Sequence, residues 1–257
     1  MKKNALLLLF LIFVAGCGEK SNSVGAIYEP PLPLSSQKPS TDPAQSATMK
    51  GKVFFDGAVP APATIPIRGN PECAAFHADG AVHSEELLVK DGALQNVFVY
   101  IKEGLEGQSF APPVQAVTIE NKNCMYVPHV SGAQVDQAVI LLNDDPTLHN
   151  IHSYSKNQKN WNLGLPFQGM KQTKKFSSPE VMVQLKCDVH PWMVGYVGVL
   201  PHPYFAVSGE DGSFEIKNLP AGEYVIEAWQ EKLGAQSQKI KIEPRETKEI
   251  EFRFKSA

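Results

Sequence analysis

Cys187-Asp188-Val189-His190-Pro191-Trp192-Met193 places a thiolate, an imidazole and a thioether within one short turn. Upstream, Val181, Val183, Leu185 and Cys187 alternate with Met182, Gln184 and Lys186. That is the period of a half-buried strand, and it makes Cys187 the last inward-facing residue before the loop. Downstream, 194–200 reads as the returning strand. Cys, His and Met gathered at the end of a hairpin are the soft and imidazole donors that suit copper, provided a second His arrives from elsewhere.

The chain has 257 residues, 43% of them hydrophobic, and a formal charge of −3. That length allows one large domain or two small ones, and the composition is ordinary for a globular protein. No basic run or stripe appears, which speaks against a nucleic-acid partner. Lys2 and Lys3 precede an apolar run at 5–14 that is too short to span a membrane as a mature helix and reads as an export signal. It ends in Val14-Ala15-Gly16-Cys17, which resembles the lipobox of bacterial lipoproteins. The resemblance implies a signal peptide at 1–17, cleavage before Cys17 and lipidation of its thiol and new amino terminus. Gly18 stands where the family's inner-membrane retention residue, Asp, would be, which implies an outer membrane, facing the periplasm or cell surface. Without Lys2 and Lys3 the charge is nearer −5, from 22 Lys and Arg against 27 Asp and Glu. Residues 18–48, rich in Pro, Ser, Gln and Lys, carry no apolar periodicity and read as a disordered tether.

From residue 49 onward, short apolar stretches alternate with Gly, Pro, Asn and Asp. Strands are expected near 50–55, 64–67, 86–89, 97–102, 115–120, 139–143, 181–186 and 194–200, with a turn at 73–77. Four more follow near 213–216, 223–228, 238–242 and 249–254. Many short strands without helices argue for an all-β sandwich or barrel. Of the four cysteines, Cys17 goes to lipid and Cys187 to the metal loop, leaving Cys73 and Cys124. In an oxidising exported compartment their simplest fate is a disulfide, with two buried thiols or a second metal site as alternatives.

Asn143-Asp144-Asp145-Pro146-Thr147-Leu148-His149-Asn150-Ile151-His152 supplies the missing imidazole. A turn cluster leading into His-Asn, paired with Cys187-x2-His190-Pro191-x-Met193, resembles the small blue-copper proteins, the cupredoxins, over about a third of the chain. The resemblance implies a Greek-key β-sandwich over 113–200 and one type 1 copper ion. His149 and His190 become its imidazole ligands, Cys187 its thiolate and Met193 its weak axial ligand. It also implies that Asn150 ties the two ligand loops together, and that His190 shows a ring edge within an apolar patch of Pro191 and Trp192. As strand residues, His149 and His152 face opposite ways. The resemblance selects His149 and leaves His152 as a packing or hydrogen-bonding residue beside the ligands. His129, not far after Cys124, reads as a surface or hydrogen-bonded His that could sit close to the site. The chain departs from the family at Leu148, where Pro is common, and at Asp188-Val189. The insert at 154–175 carries no recognisable chemistry.

Past Pro201, Asp211-Gly212-Ser213-Phe214-Glu215-Ile216 and Asn218-Leu219-Pro220-Ala221-Gly222-Glu223-Tyr224 are similar to the carboxypeptidase-regulatory-like, or transthyretin-like, β-sandwich. That family implies a smaller structural or carbohydrate-binding-like module at 201–257. Its usual first strand is missing there, but Gly51-Lys52-Val53 through Gly57 and Pro60 has the pattern. Segment 49–112 is therefore expected to complete the C-terminal sandwich, with the copper-type segment inserted between. Two consecutive domains are the alternative.

These features point to a membrane-tethered electron-transfer protein rather than an enzyme, since no paired His-x-His motif supplies a second copper site. Expected partners are exported redox proteins such as a cytochrome or dehydrogenase. A copper carrier or sensor is one alternative, and a structural or glycan-binding surface lipoprotein with a vestigial site is another.

Overall fold

A computed structural model describes residues 45–67 and 69–256. The expected export signal, the expected lipobox with Cys17 and the expected tether up to residue 44 lie outside the described residues. Among those described, no helix is long and apolar enough to cross a membrane.

The protein is all-β. The first part of the chain forms β1 (Ala47–Asp56), β2 (Thr64–Pro66), the short helix α1 (Pro71–Ala74), β3 (Ala81–His83), β4 (Val89–Lys90), β5 (Ala93–Leu94) and β6 (Phe98–Glu103). The middle forms β7 (Val117–Lys122), β8 (Met125–Val127), β9 (Val130–Gln134), β10 (Val139–Asn143), β11 (His149–Tyr154), β12 (Asn162–Leu165), β13 (Lys171–Lys174), β14 (Glu180–Lys186) and β15 (Val194–Leu200). The last part forms β16 (Phe205–Val207), β17 (Ser213–Leu219), β18 (Gly222–Gln230), β19 (Gly234–Ile242) and β20 (Thr247–Lys255).

Two sandwiches result. The middle one packs the sheet β13-β10-β7-β8 against β12-β11-β14-β15-β9. Its core joins Ile119, Val139 and Leu141 from one sheet to Ile151, Leu165, Val183, Leu185 and Val197 from the other. Each such side chain contributes roughly 1.5–3 kcal/mol when fully buried. In the second sandwich β1 lies between β17, to which it is antiparallel, and β20, to which it is parallel. The opposing sheet is β16-β6-β18-β19. Strand pairing thus unites 47–56 and 98–103 with the C-terminal strands across an inserted middle sandwich, and β1 takes in Ala47 and Thr48 from the end of the expected tether.

The first segment is divided, however. β2, α1 and β3 leave the second sandwich and pack on the middle one, where Ile67, Cys73 and Val82 enter the core. The Cys73–Cys124 disulfide, with Cα atoms 5.6 Å apart, fastens this excursion to the turn between β7 and β8. Segment 49–112 therefore serves both sandwiches rather than the C-terminal one alone.

The two sandwiches share a third apolar layer. Phe98 and Tyr100 of β6 pack with Val130 and Leu200, joined by Phe205, Tyr196 and Trp229. This layer explains why Phe98, Val99, Tyr100 and Ile101 are all buried, without alternation, since one face of β6 looks into its own core and the other at the neighbouring sandwich. Gly132 and Gly198 admit the rings: a Cβ on either would stand 2.3 Å from an aromatic carbon of Phe205 or Phe98. The strand expected at 86–89 is absent apart from Val89. There Gln230 Nε2 satisfies the Glu86 carbonyl at 2.6 Å, while Leu87 turns into the core, so a side chain replaces the ladder bond.

Candidate metal centre

Two loops at one end of the middle sandwich carry the expected donors. The first leaves β10 at Asn143, whose buried amide donates to the Thr147 and Leu165 carbonyls, both at 2.8 Å. Its Oδ1 accepts from the Asp145 N–H at 3.0 Å. These bonds close a tight turn and deliver His149 as the first residue of β11. The second loop joins β14 to β15. Cys187 N donates to the Met193 carbonyl at 3.2 Å and Met193 N to the His190 carbonyl at 2.9 Å, so Cys187, His190 and Met193 are held in one closed turn.

The donor atoms converge. His149 Nδ1 and His190 Nδ1 are 3.0 Å apart, and Cys187 Sγ is 3.7 Å from His190 Nδ1. Donors sharing one ion at metal–nitrogen and metal–sulfur lengths of about 2.0 and 2.3 Å fall at such separations. Two imidazoles and a thiolate are the donor chemistry that suits copper, and the residues present fit the ion. Met193 is buried in the same turn.

Charge is arranged to match. Burial pushes the Cys187 thiol up, but hydrogen bonds with His149 and His190 outweigh it and bring its pKa down to about 6. His149 is pushed down by burial and raised, on balance, by Asp145 and Cys187. Asp145 Oδ2 lies 2.9 Å from His149 Nε2. A carboxylate only accepts, so it holds the ring proton on Nε2 and turns the Nδ1 lone pair toward Cys187 and His190.

Asn150 connects the loops: its Oδ1 accepts from Asp188 N at 2.7 Å and from the Cys187 thiol at 3.3 Å. Its Nδ2 donates to Asp188 at 3.0 Å and to Asn162 at 2.7 Å. Asp188 also accepts from Asn162 at 2.6 Å and faces His152 Nδ1 at 3.3 Å. The acid next to the thiolate is thus a pin for the loop, and His152 is half-buried beside it, away from the converging donors. His129 stands apart, against Glu231 at 2.5 Å in the seam between the sandwiches. Two residues of the site carry little signal in the sequence: Asp145, marked only by its spacing of four before His149, and Asn162, which lies in the insert at 154–175.

One implied feature is different here. His190 is only 2% exposed and shows no ring edge to solvent. Trp192 packs on it with centroids 5.1 Å apart and is anchored by Nε1 donating to the Cys124 carbonyl at 3.0 Å. The disulfide sulfurs also come within 4.8 Å of a His190 nitrogen. The excursion carrying Cys73 therefore lies directly beside His190.

No protein-family model matches the chain, and no curated protein matches it. Among solved structures it is similar to a purple cupredoxin from Nitrosopumilus maritimus, at 28% identity over 32% of this chain and 98% of the other, with a TM-score of 0.28. It is similar to a copper-containing nitrite reductase from Thermus scotoductus at 19% identity, over 39% of this chain and 25% of the other, with a TM-score of 0.32. An oxidised amicyanin variant is similar at 18% identity, over 39% of this chain and 97% of its own, with a TM-score of 0.31.

Proposed function

We propose that the chain is a one-electron carrier whose single copper ion would be held by His149, Cys187 and His190, with Met193 as a weak fourth ligand. The observation that supports this reading best is closure: His149 and Met193 are 0% exposed, Cys187 and His190 2%. A catalytic metal keeps a position open for water or substrate; a carrier has no use for one. Held by these donors, copper supplies one-electron exchange between its two oxidation states. The hydrogen bonds of Asn143, Asn150 and Asp188 hold both loops in place, which favours donors that move little as the charge changes.

The same reading includes export, lipid anchoring at Cys17 to an outer membrane, and brief encounters with exported redox proteins such as a cytochrome or dehydrogenase, through a small interface. Leu148 and Val189, 44% and 43% exposed, directly precede the two histidines, and this reading assigns partner contact to that end. Visible and paramagnetic-resonance spectra after copper addition test it, for wild type and Cys187→Ser. An intense thiolate-to-copper band, lost in the variant, together with a reversible one-electron couple, is expected. A colourless complex of Cu(I) alone, or a band that survives the substitution, rejects the reading.

A further inference from the structure

We propose that Asp145 is a positioning residue of this centre, one whose charge sets how strongly the site prefers the oxidised over the reduced ion. The inference rests on the copper reading above and deepens it.

Asp145 is 2% exposed, and the residues around it are arranged to keep its carboxylate charged. Beyond His149, Oδ1 accepts from Asn123 N at 2.7 Å and Oδ2 from Cys124 N at 2.8 Å. Asn123 and Cys124 have φ of 53° and 57°, a left-handed pair whose successive N–H groups face one anion, the geometry of a backbone nest. A buried carboxylate is costly unless paired and hydrogen-bonded, and here three donors meet that cost. The nest is itself anchored, because Cys124 is disulfide-bonded to Cys73 and both are 0% exposed.

A full negative charge therefore sits 2.9 Å from one nitrogen of a ring whose other nitrogen faces Cys187 and His190. Such a partner raises the basicity of an imidazole ligand and fixes its orientation. A more basic ligand favours the ion of higher charge. The neighbouring Asp144 provides the contrast: it belongs to the same turn, but its side chain is 42% exposed and pairs with Lys122 at 3.1 Å.

The test compares Asp145→Asn and Asp144→Asn in the full chain. Cu(II) and Cu(I) affinities are measured by chelator competition, and the reduction potential by voltammetry. Asp145→Asn is expected to lose roughly 10–100-fold in Cu(II) affinity. With Cu(I) affinity held, that corresponds to a potential raised by about 60–120 mV at 59 mV per decade. Asp144→Asn should leave both unchanged. If the Asn variant does not fold, Asp145→Ser is measured with the same expected direction. Wild-type affinities and potential in the Asp145 variant, or an equal shift in the Asp144 variant, overturn the proposal. Failure of the copper reading itself is distinguishable, since it shows already in the wild-type chain.

Discussion

Replacing Cys73 and Cys124 together by Ala removes the disulfide that crosslinks the excursion to the middle sandwich. The sulfurs are 51 residues apart in sequence. A crosslink closing a loop of that length restricts the unfolded chain by about 14 cal/mol/K, or about 4 kcal/mol at room temperature. The folded contacts of the excursion largely survive: Ile67 and Val82 remain in the core, and His77 Nε2 still bonds the Asn123 carbonyl at 2.9 Å. The loss therefore falls mainly on the unfolded state. For a chain of this size 1 kcal/mol moves the midpoint by about 2–4 °C, so thermal unfolding should fall by roughly 8–16 °C. The assay is calorimetry on metal-free protein, which removes stabilisation by bound copper. Trp161 and Trp192, which pack against the middle core, report that sandwich by fluorescence. A fall of less than about 2 °C would refute the loop-closure argument, because it would mean the unfolded chain gains little freedom when the link is cut.

Three further outcomes are expected. Gly198→Ala forces a methyl against the Phe98 ring, 2.3 Å from its Cζ, and should cost about 1–3 kcal/mol as overpacking; urea unfolding measures it, and a neutral result would show that the layer between the sandwiches yields. Asn150→Ala removes the acceptor shared by Asp188 N and the Cys187 thiol and should weaken copper binding roughly 10–100-fold, read by chelator competition; wild-type affinity would show that the loop holds itself. At His129, burial favours the neutral ring, but the hydrogen bond and charge of Glu231, with the charge of Glu85, outweigh it and raise the pKa above 6.5. A raised folded pKa gives stability that is fully present below the unfolded value and is lost as pH rises through the folded one. Glu231→Gln should therefore destabilise the protein more at pH 5.5 than at pH 9, and a pH-independent loss in parallel denaturation curves contradicts this.

Where period and punctuation agreed, elements could be read directly. Val139–Asn143 and Val194–Leu200 coincide with strands anticipated from alternation or from an apolar run. β9, with Ser131 and Gly132 at its centre, had no such signal, because its Gly exists to admit the Phe98 and Phe205 rings rather than to form a strand. β12 and β13 were hidden in an insert of polar residues whose pairing with β11 and β10 comes from neighbours, not from their own pattern. Asp145 was passed over for a similar reason. In a run of turn-forming residues an acid looks like loop chemistry, and only the fold shows which carboxylate turns inward to His149 and which, like Asp144, turns out to Lys122.

Cys187, His190 and Met193 lie within a single turn, and so few residues cannot carry them far apart in any fold. The chain alone therefore determined three of the four donors, their soft character and the alternating strand that buries Cys187. Residues distant in sequence met only through packing. His149 lies 41 positions before His190, yet their Nδ1 atoms approach to 3.0 Å because β11 and β14 pair in one sheet. The division of the first segment between two sandwiches, the disulfide-bound excursion that buries His190 and the carboxylate behind His149 belong to the tertiary structure in the same way. Each depends on surfaces that local periodicity does not encode.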